Sequence, residues 1–126
     1  MKIDHIGIVN RSEEEAVRFY QEYLGLEKIR DFMVGQELSM QLFSHAWEIK
    51  VLVFEKNDVK LEIFILQNYT PPSPQIGHTC LYIDRFSELI ENSKTSGVTV
   101  IRGSHQGKTV HFLKDFSDNM IEIKPA

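Results

Sequence analysis

The chain is short of the residues that would take it out of the class of ordinary globular domains. It has one cysteine, Cys80, so no disulfide can form within it. That usage excludes a small cross-linked scaffold and fits a reducing compartment. No apolar run approaches the roughly 18 residues a membrane-spanning helix needs. There is no basic excess: 14 Lys and Arg stand against 18 Asp and Glu, for a net charge of −4, with the signs interspersed. A nucleic-acid face and a polybasic membrane patch are thereby excluded. No glycine-rich phosphate loop and no Ser-His-Asp order is present. Three of the four prolines, Pro71, Pro72 and Pro74, crowd into one stretch. The first residues run directly into a strand pattern with no leader-like segment, so the expected location is cytoplasmic. A length of 126 residues with 42% apolar content suits one domain with a real core.

What the chain does have is one pattern written twice. Lys2 to Val9 reads as a strand. Ser12 and Glu15 form a capping box, Ala16, Val17, Tyr20, Tyr23 and Leu24 recur at helical spacing, and Gly25 closes the helix. Leu26 to Met33 is a second strand, and Ile49 to Phe54 with Val59 to Leu66 form a hairpin across Glu55 to Asp58. The second copy has a strand over Ile76 to Asp84, a helix over Phe86 to Ser96 ended by Gly97, and strands over Val98 to Arg102, Val110 to Lys114 and Asn119 to Lys124.

Marker residues align the copies. His5 matches His78 at an offset of 73; Gly25, Ile29 and Arg30 match Gly97, Ile101 and Arg102 at 72; Asp58, Glu62 and Ile63 match Asp118, Glu122 and Ile123 at 60. One residue is lost in the helix and twelve between the second and third strands. The first copy's surplus is roughly Gly35 to Trp47. These spacings predict one domain, residues 1–126, made of a module 1–68, a linker 67–75 and a module 76–126. The expected fold is α+β: two βαβββ modules forming a curved mixed sheet with helices on its convex face.

Strand parity marks the candidate site. Side chains alternate faces with period two. Ile6 and Ile8 lie opposite His5; Leu61, Ile63 and Ile65 lie opposite Glu62; Leu81 and Ile83 lie opposite His78; Ile121 and Ile123 lie opposite Glu122. Each strand thus has an apolar face fit to pack under a helix and a second face carrying an ionisable residue. Converging in a concavity, these four groups would desolvate or repel one another unless a cation compensates them. His5, Glu62, His78 and Glu122 are therefore the expected ligands of a divalent transition metal. Cys80 shares the parity of His78 and reads as a small hydrophobe rather than a nucleophile. His45 and His105 read as solvated, and Met40, Phe43 and Trp47 as packing for the insertion.

Four segments carry a family resemblance: Asp4-His5-Ile6-Gly7-Ile8, Phe19-Tyr20 with Leu24-Gly25-Leu26, Gly77-His78, and Asp115-Phe116-Ser117-Asp118-Asn119-Met120-Ile121-Glu122. On these the chain resembles the vicinal oxygen chelate superfamily, the glyoxalase, bleomycin-resistance and dioxygenase group. The last segment is similar to the family's D-P-D-G-N-x-x-E hairpin, with Phe116 in place of proline and Asp118 in place of glycine. The resemblance implies paired modules giving ligands from their first and last strands, as in glyoxalase I. Methylmalonyl-CoA epimerase is equally like the opening segment. Two departures concern glutathione. Val9 stands where glyoxalase I carries an arginine, and Leu66 where it carries an amide.

The function so implied is a lyase or isomerase dependent on Ni, Co, Zn or Mn. It would abstract a proton next to a metal-chelated carbonyl of a small substrate, with Glu122 or Glu62 carrying the proton. The alternatives are a non-enzymatic, resistance-type binding protein of the same fold, or a dioxygenase or thiol transferase. A single module leaves an open sheet edge, which the modules can close by pairing within a chain or by swapping between chains; the resemblance implies a homodimer by either route.

Overall fold

A computed structural model describes all 126 residues, Met1–Ala126. The chain divides into two compact units, Met1–Tyr69 and Thr70–Ala126, and the boundary falls inside the expected linker. The first unit runs β1 (Ile6–Asn10), α1 (Glu13–Ala16, continued by a π-helical stretch Val17–Tyr23), β2 (Glu27–Val34), α2 (Gln36–Phe43), β3 (Ile49–Lys56) and β4 (Val59–Ile65). The second runs β5 (Thr79–Ile83), α3 (Phe86–Ser96), β6 (Thr99–His105), β7 (Lys108–Lys114) and β8 (Met120–Pro125). Each builds a four-stranded mixed sheet of the same topology, β1-β4-β3-β2 and β5-β8-β7-β6. The edge strands β1 and β5 run parallel to β4 and β8, and every other pair is antiparallel. The fold is thus α+β, two βαβββ units, as the repeat requires.

The helix-side face of the first sheet is the larger core. Leu52, Phe54, Leu61 and Ile63 are fully buried there, with Ala16, Phe19 and Tyr20 of α1 above them. The Tyr20 ring lies 6.0 Å from that of Phe54. In the second unit Leu81, Leu113, Ile121 and Ile123 form the matching layer, with Leu89 of α3 buried too.

The one-residue offset has a structural counterpart. The Ser12 hydroxyl caps α1, accepting from the Glu15 amide at 3.1 Å. Gly25 then ends the helix at φ 80°, as Gly97 ends α3 at φ 72°. Between these landmarks the first unit carries one residue more. The extra residue is taken up by π winding, in which the Leu24 amide reaches back to the Phe19 carbonyl at 2.9 Å. π turns hold more residues per turn than α turns, which is how a helix absorbs an insertion without moving its ends.

The twelve-residue surplus lies between β2 and β3, residues 35–48, where the second unit has only the turn 106–107. Sequence spacing gives no helix there, but Gln36–Phe43 is one. Its apolar residues Leu38, Met40, Leu42 and Phe43 do not sit at a clean helical spacing, and all are about half exposed. Phe43 sets its ring edge on Phe64 at 5.9 Å, while Trp47 stays 70% exposed rather than packing the insertion.

Two other expectations shift. The ladders begin at Ile6 and Thr79, so His5 and His78 stand immediately before their strands rather than inside them. An edge strand has a single neighbour, and its pairing starts where that neighbour allows. The β6–β7 hairpin extends further than expected, to His105 and Lys108, because Gln106 and Gly107 both take positive φ, the conformation of a tight two-residue turn. His105 is therefore a strand residue, though an exposed one.

The turn into β8 is held by Asp115. Its buried carboxylate accepts from the amides of Ser117 and Asn119 at 2.9 Å each and from the Asn119 side chain at 2.8 Å. Asp118 sits at φ 70°, in the left-handed region where glycine costs least. That network sets the start of the strand that carries Glu122.

Candidate metal centre

Each unit brings its histidine and glutamate together. In the first, Glu62 pairs with Gly7 across the β1–β4 ladder, and His5 two positions earlier turns onto the same face. The His5 Nε2 lies 2.6 Å from Glu62 Oε2. In the second, Glu122 pairs with Cys80, and the His78 Nε2 lies 3.2 Å from Glu122 Oε2. The glutamates are the better shielded members, their side chains 12% and 16% exposed against 41% and 31% for His5 and His78. Two of the four expected ligands thus meet in each unit, and no group of three or more His, Cys, Asp or Glu side chains is placed to hold a metal ion together.

The second nitrogen of each ring is also engaged. His5 Nδ1 lies 2.8 Å from Asp4 Oδ2, and His78 Nδ1 lies 2.8 Å from the Ile76 carbonyl. A carboxylate and a carbonyl accept only, so a neutral ring, with its single N–H, can satisfy just one of its two contacts. In both rings Nε2 points at a carboxylate oxygen. Two lone-pair-bearing atoms approach this closely only with a positive charge between them, a proton or a metal ion. An outer oxygen that fixes the tautomer and orientation of the imidazole is the usual surrounding of a metal-bound histidine. Asp4 is itself within 3.4 Å of Lys60 Nζ.

Phe112 and His111 divide between the two faces. Phe112 pairs with Glu122 and lies edge-on to the His78 ring at 4.8 Å, as an apolar wall beside the His78–Glu122 pair. His111 instead meets Phe86 of α3 at 5.1 Å, on the helix side. Cys80 lies on the same face of the sheet as Glu122, the face of the candidate ligands. Partial desolvation, and after it the Glu122 charge, push its thiol above the usual range. A thiol so placed is a poor nucleophile. Asp4, Lys60 and the Ile76 carbonyl are the contributors that sequence spacing does not single out. Asp4 had a signal in its adjacency to His5; a backbone carbonyl has none.

The second pair also fixes a pH response. The Ile76 carbonyl, and then Glu122, hold the His78 imidazolium above its ordinary value of 6.5, and the hydrogen bond from His78 holds the Glu122 carboxyl below its ordinary 4.5. By linkage, the raised histidine contributes stability that is complete below 6.5 and lost as pH climbs through the raised value. The lowered glutamate contributes stability that is present above 4.5 and lost as pH falls through the lowered value. A metal ion must displace the proton on Nε2, so its affinity follows the reverse course. Between about pH 8 and 6, melts in chelator should show this pair stabilising the metal-free protein on acidification, while metal titrations show affinity falling. Parallel trends would refute the shared lone pair.

The structure is similar to solved proteins over nearly its whole length. A glyoxalase family protein from Enterococcus faecalis matches at 22% identity over 97% of this chain and 95% of that one, with a TM-score of 0.73. The fosfomycin resistance protein FosX from Listeria monocytogenes matches at 19% over 97% and 88%, with 0.70. The trypanothione-dependent glyoxalase I of Leishmania major matches at 15% over 99% and 86%, with 0.71. At such identities the likeness speaks for the fold. Among curated proteins no significant sequence match is found. A sequence profile matches residues 4–113, and by that match the chain belongs to the glyoxalase/bleomycin resistance protein/dioxygenase superfamily.

Proposed function

We propose that the protein is a metal-dependent lyase or isomerase acting by proton abstraction next to the carbonyl of a small, oxygen-chelating substrate. The observation that supports it most is the state of the two imidazoles, each with Nδ1 engaged by an oxygen acceptor and Nε2 turned on a glutamate. In this reading the half-sites His5–Glu62 and His78–Glu122 together hold one divalent ion. Two imidazoles and two carboxylates suit Ni, Co, Zn or Mn. When bound, the ion supplies Lewis-acid polarisation of the substrate carbonyl.

The remaining work falls to the side chains. Each glutamate turns Oε2 on its histidine, leaving the other oxygen to take a proton from carbon. Glu122 is the first candidate: Phe112 walls the adjoining His78 ring, and Lys124 Nζ, 3.6 Å from Glu122 Oε1, helps keep the carboxylate in the ionised form a base requires, at some cost in basicity. Glu62 is the second. The substrate is bound as a small molecule, and the expected assembly is a homodimer.

The test is solvent deuterium exchange into the carbon beside the carbonyl of small oxo compounds, followed by NMR with nickel-loaded protein. Glu122→Gln keeps the shape and one ligand oxygen but removes the basicity, so catalysed exchange should fall by about a hundredfold or more. Nickel content should be largely retained. Undiminished exchange in both Glu122→Gln and Glu62→Gln would overturn the assigned role.

A further inference from the structure

β2 and β6 hold the same place in their sheets, and Ile29-Arg30 aligns with Ile101-Arg102. Their pairing nevertheless differs. β6 runs along β7 without interruption, so Ile101 stands opposite Phe112 and Arg102 opposite His111. Phe112 touches His78 and His111 touches α3, which puts Ile101 on the ligand face and Arg102 on the helix face. In β2 the register breaks between Lys28 and Arg30. Lys28 pairs with Phe54, but it is Arg30, not Ile29, that pairs with Val53. Val53 is in turn opposite Glu62. The bulge at Ile29 has therefore carried Arg30 onto the ligand face, in one row with Val53 and Glu62. Re-aiming a side chain is what a bulge beside a site does.

Once there, the arginine is uncommitted. It is exposed and forms no ion pair, although its neighbour Lys28 is taken by Asp31 at 3.3 Å. Its guanidinium lies 5.2 Å from the ring centroid of Phe32, the next residue on the same face. Stacking restricts the fork without using its donors, so they stay available to a planar anion. Two strand spacings, about 10 Å, separate the Arg30 and Glu62 backbones. An arginine serving solubility alone needs no such bulge, and Arg102 does without one.

We propose that Arg30 binds an anionic group of the substrate, so that the site takes small oxo-acids bearing a second carboxylate, phosphate or phosphonate remote from the chelating oxygens. This rests on the functional reading above and narrows its substrate class. The probes are 2-oxoglutarate and 2-oxopentanoate, which share a chelating 2-oxo-acid end and differ in the distal carboxylate. Calorimetry on the nickel-loaded chain should show 2-oxoglutarate binding at least about tenfold tighter, the scale of one charge-assisted contact. Arg30→Gln should abolish that preference and leave nickel affinity unchanged, and Arg102→Gln should preserve both. Equal affinity in the unaltered chain, or a preference that survives Arg30→Gln, would overturn the proposal. Should the chain bind no nickel, the metal reading falls separately. The Arg30 Nε–H resonance of metal-free protein then decides: a response to 2-oxoglutarate that Arg102 lacks upholds the anion site, and silence at Arg30 removes it.

Discussion

Nickel(II) at a hundredfold excess over its dissociation constant should raise the melting temperature of the chain by roughly 10 °C, and neither His5→Ala nor His78→Ala should show that rise. Binding to the native state alone stabilises by about 2.7 kcal/mol at that excess. For a chain of this length, each kcal/mol moves the midpoint by roughly 3–5 °C. The loss in both variants follows from sharing. If one ion takes Nε2 from each histidine and a carboxylate from each glutamate, neither half-site can hold it tightly alone. Metal analysis should then give one ion per chain. Two ions per chain, with each single variant keeping one, would instead make the pairs His5–Glu62 and His78–Glu122 independent sites. If Ni, Co, Zn and Mn all leave the melt unmoved at a pH where the imidazoles are neutral, the chain is not a metalloprotein of this kind.

The repeat was legible because the candidate ligands and the helix-ending glycines answer to constraints that recur in both copies. In each copy a histidine precedes the first strand and a glutamate lies in the last, and Gly25 and Gly97 must accept positive φ. Alternation along β4 and β8 then sorted ligand from core, and Leu61, Ile63, Ile121 and Ile123 are buried as that alternation requires. What escaped depends on pairing rather than composition. The bulge at Ile29 reverses the parity of all that follows in β2, and nothing in Lys28-Ile29-Arg30 announces it. The register comes from how β2 docks on β3. The π winding of Val17–Tyr23 shows in sequence only as a one-residue offset. α2 lacks a polar cap, since Gly35 precedes it, and its apolar residues do not recur at helical spacing. The Ile76 carbonyl that orients His78 is a backbone atom, which any residue would supply.

Mixing subunits decides how the half-sites meet. Equal amounts of His5→Ala and His78→Ala protein, unfolded together and refolded, should recover nickel binding if the modules are swapped between chains. In a mixed dimer one site then draws its first module from the His78→Ala chain and its second from the His5→Ala chain, and so lacks no ligand. The other site lacks both histidines. With random pairing about half the dimers are mixed, so roughly a quarter of the sites should bind nickel as tightly as the unaltered protein. If the modules pair within one chain, every site lacks one histidine and mixing recovers nothing. The two routes also differ in their response to dilution. Swapped sites exist only in the dimer, so nickel affinity should fall as protein concentration drops through the dimer dissociation constant, whereas intrachain sites keep theirs. A chain that sediments as a monomer at micromolar concentration while binding nickel fully would rule out the swapped arrangement and the homodimer together.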